Sequence, residues 1–264
     1  MIKMTYEELE GYSFSSEYDD AICIVYEGDE YYFHLKYNEA FSKLICFSNG
    51  AIDPSKKKPP LYQRNSWRND FKASCLFIDD PTLHNANLKI GWGQGREDNF
   101  ALEKIAVILT RFLKKLNYSE EKTTFYGSSA GGYMSMYLGT LIKGTKVIVN
   151  NPQTNVLNYI ENSVNQMLDI VYSGLSKEEV INKYLYRLSI IHAFKHHNYL
   201  PNILYLQNLA SAIDMKDHVK PFKDNLSTID NAENKVEYYF YKHPKEGHSP
   251  LPKDQTIRLI MKNI

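Results

Sequence analysis

Thr123-Thr124-Phe125-Tyr126-Gly127-Ser128-Ser129-Ala130-Gly131-Gly132-Tyr133 carries a strand, a sharp turn and the start of a helix within eleven residues. A short β-prone run over 123–126 meets a cluster of small residues, which gives way to an apolar helix over 133–141. Gly127-x-Ser129-x-Gly131 has the spacing of a nucleophile elbow, in which small residues on either side of a serine let the chain turn sharply from strand into helix. The bare pattern is common by chance, and the strand before it and the helix after it give it weight. Two plainer readings compete, a glycine-rich turn packed close on a sheet and a helix N-terminus cradling a phosphate. No lysine follows the glycines, so a Walker A loop is excluded. Ser128 adjoins the central serine, but an elbow puts the middle residue of the pentapeptide at its strained tip. Ser129 is therefore the candidate nucleophile, and Ser128 is expected to hydrogen-bond locally.

Outward from the elbow, the N-terminal side reads as β-rich, with apolar runs at 21–26, 31–35, 43–47 and 73–78. Residues 53–60, with three consecutive lysines and three prolines, form a surface loop between the last two runs. Apolar residues recur at helical spacing over 99–116, from Leu102 to Leu116, and Asn117 closes that helix. Beyond the elbow, strands are expected at 146–149, 203–207 and 236–241, with a short amphipathic helix over 256–264. Between the first two of these strands the chain is helical over 155–197, and Ser176-Lys177-Glu178-Glu179 is a capping box that starts a new helix there. The alternation implies an α/β fold: a mostly parallel central sheet flanked by helices, with an antiparallel entry edge. Residues 155–200 are expected to be a helical cap inserted in a single domain spanning 1–264. A plain crossover between parallel strands is the equally open alternative.

Composition bounds the function. Of 264 residues 43% are hydrophobic and 23% charged, the balance of a globular domain with a sizeable core. Lys plus Arg and Asp plus Glu both number 31, so no net charge draws the chain to nucleic acid or an anionic membrane. The three cysteines, Cys23, Cys46 and Cys75, lie in apolar runs and read as buried thiols of a reduced compartment. With no signal-like apolar core near the start and no run of about 18 apolar residues, a cytoplasmic location is expected. No His, Cys or carboxylate cluster has metal-ligand spacing, and no bound cofactor is expected. Nothing in the sequence fixes the oligomeric state.

A serine needs a base to take its proton, and in a fold of this elbow type the base comes late in the chain, after the acid. His248, in Glu246-Gly247-His248-Ser249-Pro250, follows the final strand and is the candidate base, with His243 as runner-up. The acid should follow the 203–207 strand, where Asp214 is preferred to Asp217; either could instead cap a helix. An oxyanion hole needs two backbone N–H groups. Ala130, after the nucleophile, supplies one, and Gly50 or Ala51, in Ser48-Asn49-Gly50-Ala51 after an earlier strand, is the candidate for the other, unless Asn-Gly there is a simple turn. Gly91-Trp92-Gly93-Gln94-Gly95 lacks the spacing of a dinucleotide site and reads as a loop near the active site, with Trp92 a candidate wall of the pocket. Arg64, in Gln63-Arg64-Asn65-Ser66-Trp67, is a candidate substrate contact, against the plainer reading of a solvated arginine.

Phe125 to Gly132, then Val147-Ile148-Val149-Asn150-Asn151-Pro152-Gln153 and Tyr159, resemble α/β-hydrolase-like proteins encoded with bacterial surface polysaccharide synthesis. These include capsule polysaccharide O-acetyltransferases that use a Ser-Asp-His triad and acetyl-CoA. The resemblance is clearest over 123–160, and the acid loop, 209–213, is longer than the tight turn expected there. It implies an α/β-hydrolase fold, Ser129 as acetyl carrier, His248 as base, Asp214 as its orienter, acetyl-CoA as possible donor and a saccharide as acceptor. Hydrolysis of small esters, a peptidase on the same fold and a non-catalytic scaffold in glycan synthesis remain alternatives. The last of these requires Ser129 and His248 to lie apart.

Overall fold

The computed structural model describes residues 1–84, 87–230 and 232–264. Among the described residues the strands are β1 (Ile2–Thr5), β2 (Glu17–Tyr26), β3 (Asp29–Asn38), β4 (Leu44–Ser48), β5 (Ser74–Ile78), β6 (Thr123–Ser129), β7 (Lys146–Pro152), β8 (Asn202–Asn208) and β9 (Val236–Tyr241). They form one sheet in the order β1-β2-β3-β5-β4-β6-β7-β8-β9. From β5 to β9 every pairing is parallel, whereas β3 runs antiparallel to both β2 and β5. The expected antiparallel entry is thus β2–β3. Outside it lies β1, pairing parallel with β2, a strand that the polar N-terminal sequence does not announce.

Central strands buried on both faces read as unbroken apolar runs, and β4 illustrates why. Leu44 and Cys46 enter one core, while Ile45 and Phe47 enter the other. On the first face pack the helices α1 (Glu8–Gly11), α2 (Ala101–Lys115) and α3 (Ala130–Leu141). α2 is amphipathic, burying Leu102, Ile105, Ile108, Leu109, Phe112 and Leu113. α3 is buried nearly all round and starts directly at the elbow. The three cysteines are free and buried.

Residues between β7 and β8 form α4 (Glu161–Val171), α5 (Lys177–Leu188) and α6 (Ile190–His196), and Ser176 with Glu179 makes the expected reciprocal capping box. Val164, Met167, Val171, Val180, Leu188, Ile190 and Phe194 from these helices join the same core as α3, so they add to the helical layer on that face. Beyond β8 come α7 (Ala212–Asp214), a π-helical turn (Met215–Val219) and α8 (Lys220–Leu226). After β9, α9 (Lys253–Asn263) covers the opposite face, with Ile260 buried beside Phe47 and Ile148. Among the described residues no helix is long and apolar enough to cross a membrane.

Candidate active site

The chain turns at the carboxyl end of β6, where Ser129 adopts φ 54° and ψ −125°. A non-glycine residue in that region costs on the order of 1–3 kcal/mol and persists only where its surroundings enforce it. Here the enforcement is close backbone approach. A Cβ on Gly127 would sit 2.0 Å from the Gly131 carbonyl oxygen, and one on Gly131 would sit 2.6 Å from that of Ser48. The two glycines therefore let the elbow close and let it lie against the end of β4.

Ser129 Oγ lies 2.9 Å from His248 Nε2, and His248 Nδ1 lies 2.8 Å from each carboxylate oxygen of Asp214. An acceptor-only carboxylate at Nδ1 holds the proton there, leaving Nε2 free to accept from the serine. Asp214 is 3% exposed. Burial alone would push its carboxyl up, but the hydrogen bond and charge of His248 outweigh this and hold it below the usual carboxylate range. Asp217 lies a turn further on, its carbonyl accepting from the Asn158 amide at 2.7 Å. His243 stands at the exit of β9, its carbonyl accepting from Asn208.

Buried asparagines at the ends of β7 and β8 hold the His248 loop by its backbone. Asn151 Nδ2 donates to the carbonyls of His248 and Ser249, each at 2.9 Å, and Asn150 Oδ1 accepts from Leu251 N at 2.7 Å. Asn208 Nδ2 reaches the carbonyls of His243 and Gly247, each at 2.9 Å. Asn151 and Asn208 are in turn joined at 2.8 Å. The base thus rides on a Gly and Pro loop whose carbonyls are fixed from beneath, while its side chain is 43% exposed. Against Asp214 stands a second histidine, His218, 2% exposed and pushed down to about 4 by burial, with Nδ1 facing Thr154 N at 3.4 Å.

Ala130 begins α3, where backbone N–H groups have no helical partner, so its N–H is available beside Ser129. Across from it, Gly50 N donates to Gln63 Oε1 at 2.9 Å. The Gln63 amide also donates to the carbonyls of Gly50 and Ala51, at 3.3 and 3.0 Å. Gly50's N–H is thus committed to a side chain, and that of Ala51 has no partner among the described residues. Of the two expected donors, Ala51 is the one left available. The loop is braced further by Asn49, which accepts from Gln63 N at 2.9 Å and donates to the buried Asp79 at 3.2 Å.

Two expectations need correction. Trp92 is fully buried and its indole N–H is spent on Gln153 Oε1, so it forms no wall open to a substrate. Ser128 Oγ does not bond locally but accepts from Arg64 Nη2 at 2.6 Å. That guanidinium lies 5.4 Å from the Trp67 ring centre and 5.3 Å from that of Tyr126, a stacked position rather than a freely solvated one. The residue that sequence reading missed as part of the site is Gln153, wholly buried, whose Nε2 lies 3.2 Å from Ser129 Oγ. Its place in Asn-Asn-Pro-Gln at the end of a strand neighbouring the elbow was the available signal. Among the described residues no group of His, Cys, Asp and Glu is arranged to hold a metal ion.

The parallel sheet with its antiparallel entry, and the elbow joining β6 to α3, define an α/β-hydrolase fold. The chain belongs to the Uncharacterised protein family (UPF0227), whose profile matches residues 101–243, more than half of its length. Among solved structures it is similar to the capsule O-acetyltransferase of Neisseria meningitidis serogroup A, with 15% identity and a TM-score of 0.62 over 90% of this chain and 96% of that one. A histidine variant of that enzyme in complex with CoA is similar to the same degree, at 15% identity and a TM-score of 0.63 over 90% and 95%. Carboxyl esterase 2 of the fungus Tuber melanosporum shares the fold at 13% identity and a TM-score of 0.60, over 94% and 86%. No curated protein matches the chain by sequence.

Proposed function

We propose that this chain is a serine-dependent acyl-transfer enzyme that moves a small acyl group, most simply acetyl, from a thioester or ester donor to a saccharide hydroxyl. The observation that carries the reading is the continuous line from buried Asp214 through His248 to Ser129 Oγ, at 2.8 and 2.9 Å. In it, His248 takes the Ser129 proton as Oγ attacks the acyl carbon, and Asp214 stabilises the resulting imidazolium. The N–H groups of Ala130 and Ala51 receive the oxyanion. The donor's leaving group departs with the proton from His248, and an acceptor hydroxyl then repeats the sequence on the acyl-enzyme. A non-catalytic scaffold has no need of a strained serine within hydrogen-bond reach of a carboxylate-paired histidine, and that geometry favours the enzyme reading.

Similarity over nearly the full length of a capsule O-acetyltransferase, one form of which was solved with CoA, supports acetyl-CoA as donor and a saccharide of surface-polysaccharide type as acceptor. Simple ester hydrolysis is the second reading. The 43% exposure of the His248 side chain favours it, because water reaches an open base as readily as a sugar does.

Turnover of p-nitrophenyl acetate and of acetyl-CoA by the wild type and by Ser129→Ala, with and without a bacterial polysaccharide acceptor, tests the proposal. Wild-type turnover absent from Ser129→Ala supports the serine chemistry, and acceptor-dependent consumption of acetyl-CoA supports transfer. Equal inertness of both proteins toward every donor contradicts the enzyme reading.

A further inference from the structure

We propose that Gln153 is a further catalytic residue, whose side-chain amide donates a hydrogen bond to Ser129 Oγ and is held in that orientation by the indole of Trp92. The inference rests on Ser129 being the nucleophile, and it adds a donor to the reacting oxygen that the serine, histidine and aspartate do not supply.

The orientation of a glutamine amide is decided by its partners. An indole N–H can only donate, so the Gln153 atom facing Trp92 must be the carbonyl oxygen, which turns Nε2 toward Ser129 at 3.2 Å. Neither group is free to wander. The Gln153 backbone N–H donates to the Ser129 carbonyl at 3.1 Å, where the β6–β7 register shifts between Ser128 and Ser129. Trp92 is fully buried with its ring edge-on to Tyr159, 5.6 Å between centres. The loop that carries Trp92 is fastened on both sides. Gly93 N donates to buried Asp80 at 3.0 Å, and the Gln94 amide is held by Arg187 O and the Tyr172 hydroxyl, both at 2.7 Å. The Trp92 ring belongs to the apolar core, but the Gln153 amide, also wholly buried, carries a desolvation cost that only its hydrogen bonds offset. Its placement on the reacting atom is what accounts for it.

Three consequences follow for the chemistry. A serine oxygen that accepts from Gln153 has its own proton left to point at His248 Nε2, 2.9 Å away. As that proton passes to His248, the amide N–H steadies the transient negative charge on Oγ, which formation of the Oγ–C bond then passes on to the acyl oxygen. In the second half-reaction the C–Oγ bond breaks, the electron pair returns to Oγ and His248 returns the proton. The same amide then stabilises Oγ as leaving group. Donors aimed at a developing oxyanion are worth about 10²–10³ in rate in other enzymes. A longer bond to the nucleophile is expected to contribute about tenfold.

The test is the second-order rate at which a fluorophosphonate labels Ser129 in the full chain, together with kcat and KM for p-nitrophenyl acetate. Gln153→Glu keeps the shape and the acceptor for Trp92 and, as a carboxylate, has no hydrogen to give, so its labelling is read at high pH. Gln153→Met keeps the volume with no polar group, and Trp92→Phe leaves Gln153 in place but frees its amide to flip. The proposal expects both Gln153 variants to label at least tenfold more slowly and Trp92→Phe at least threefold more slowly. In each, kcat per active site, the sites being counted by the end point of fluorophosphonate labelling, should fall while KM changes less than twofold, a loss that a partly unfolded preparation, which loses sites rather than rate per site, does not produce. Labelling of Gln153→Met and Trp92→Phe within twofold of the wild type would overturn the role of Gln153 while leaving Ser129 as nucleophile. A wild type that is not labelled at all would overturn the nucleophile itself, and this inference with it.

Discussion

Replacing Asp214 by asparagine keeps the side chain's shape and removes its charge, and the structure sets the size of the loss. Both carboxylate oxygens stand 2.8 Å from His248 Nδ1, so an asparagine can still turn its carbonyl oxygen to the ring and preserve the tautomer. What disappears is the attraction between the carboxylate and the imidazolium that forms when Ser129 gives up its proton. For charge centres about 4 Å apart at an effective dielectric constant of about 20, that attraction is about 4 kcal/mol. With the His248 side chain 43% exposed, solvent screening takes roughly half of it, leaving about 2 kcal/mol. At 1.36 kcal/mol per decade this is a loss of about 30-fold in kcat/KM. If the amide N–H faces the ring instead, the tautomer inverts and the loss grows toward about 10⁴-fold. The assay is p-nitrophenyl acetate hydrolysis, with Asp217→Asn as control, expected within twofold of the wild type. A folded Asp214→Asn enzyme losing less than fivefold, or an Asp217→Asn enzyme losing as much as Asp214→Asn, would refute the assignment of the acid.

Two further outcomes are expected. Gly131→Ala places a methyl 2.6 Å from the Ser48 carbonyl oxygen and 2.9 Å from that of Asn49, both backbone atoms. It should cost about 1–3 kcal/mol, read as a fall of roughly 3–10 °C in Tm, and should cut esterase activity more than tenfold by moving the 48–51 loop. His218 is held neutral by burial, its pKa pushed down to about 4, so between its ordinary value near 6.5 and 4 the unfolded chain takes up a proton that the folded one refuses. Stability is therefore lost as pH falls through that window, by on the order of 3 kcal/mol. His218→Asn, which keeps an acceptor for Thr154 N, should flatten the fall in Tm between pH 7 and 4.5 by several degrees; an unchanged slope would contradict this.

The parts of this molecule legible in its sequence are those written in local chemistry. Glycines flanking Ser129 announce the elbow because only a residue without a Cβ fits beneath the Gly131 carbonyl and against Ser48. Gly247 and Pro250 announce the loop that brings His248 to the serine, and Ser176 with Glu179 announces a helix start that the structure keeps. Long-range polar pairing is not legible in this way. Trp92 and Gln153 are 61 positions apart, and nothing periodic marks that an indole in a glycine-rich loop meets an amide after a proline. Gln63 reaching back to the N–H of Gly50 is hidden for the same reason, which is why two candidate donors could not be reduced to one. β1 went unread because four residues gain strand geometry from pairing with β2, not from their own pattern.

Whether Ser129 carries the acyl group decides between serine catalysis and every other reading of this site. Incubation with acetyl-CoA or p-nitrophenyl acetate, rapid acid quench and peptide mass spectrometry is the measurement. The expected result is one acetyl group on the peptide containing Ser129, absent from Ser129→Ala. Continued turnover of the donor with no acetyl on Ser129, or turnover that survives Ser129→Ala, would contradict it.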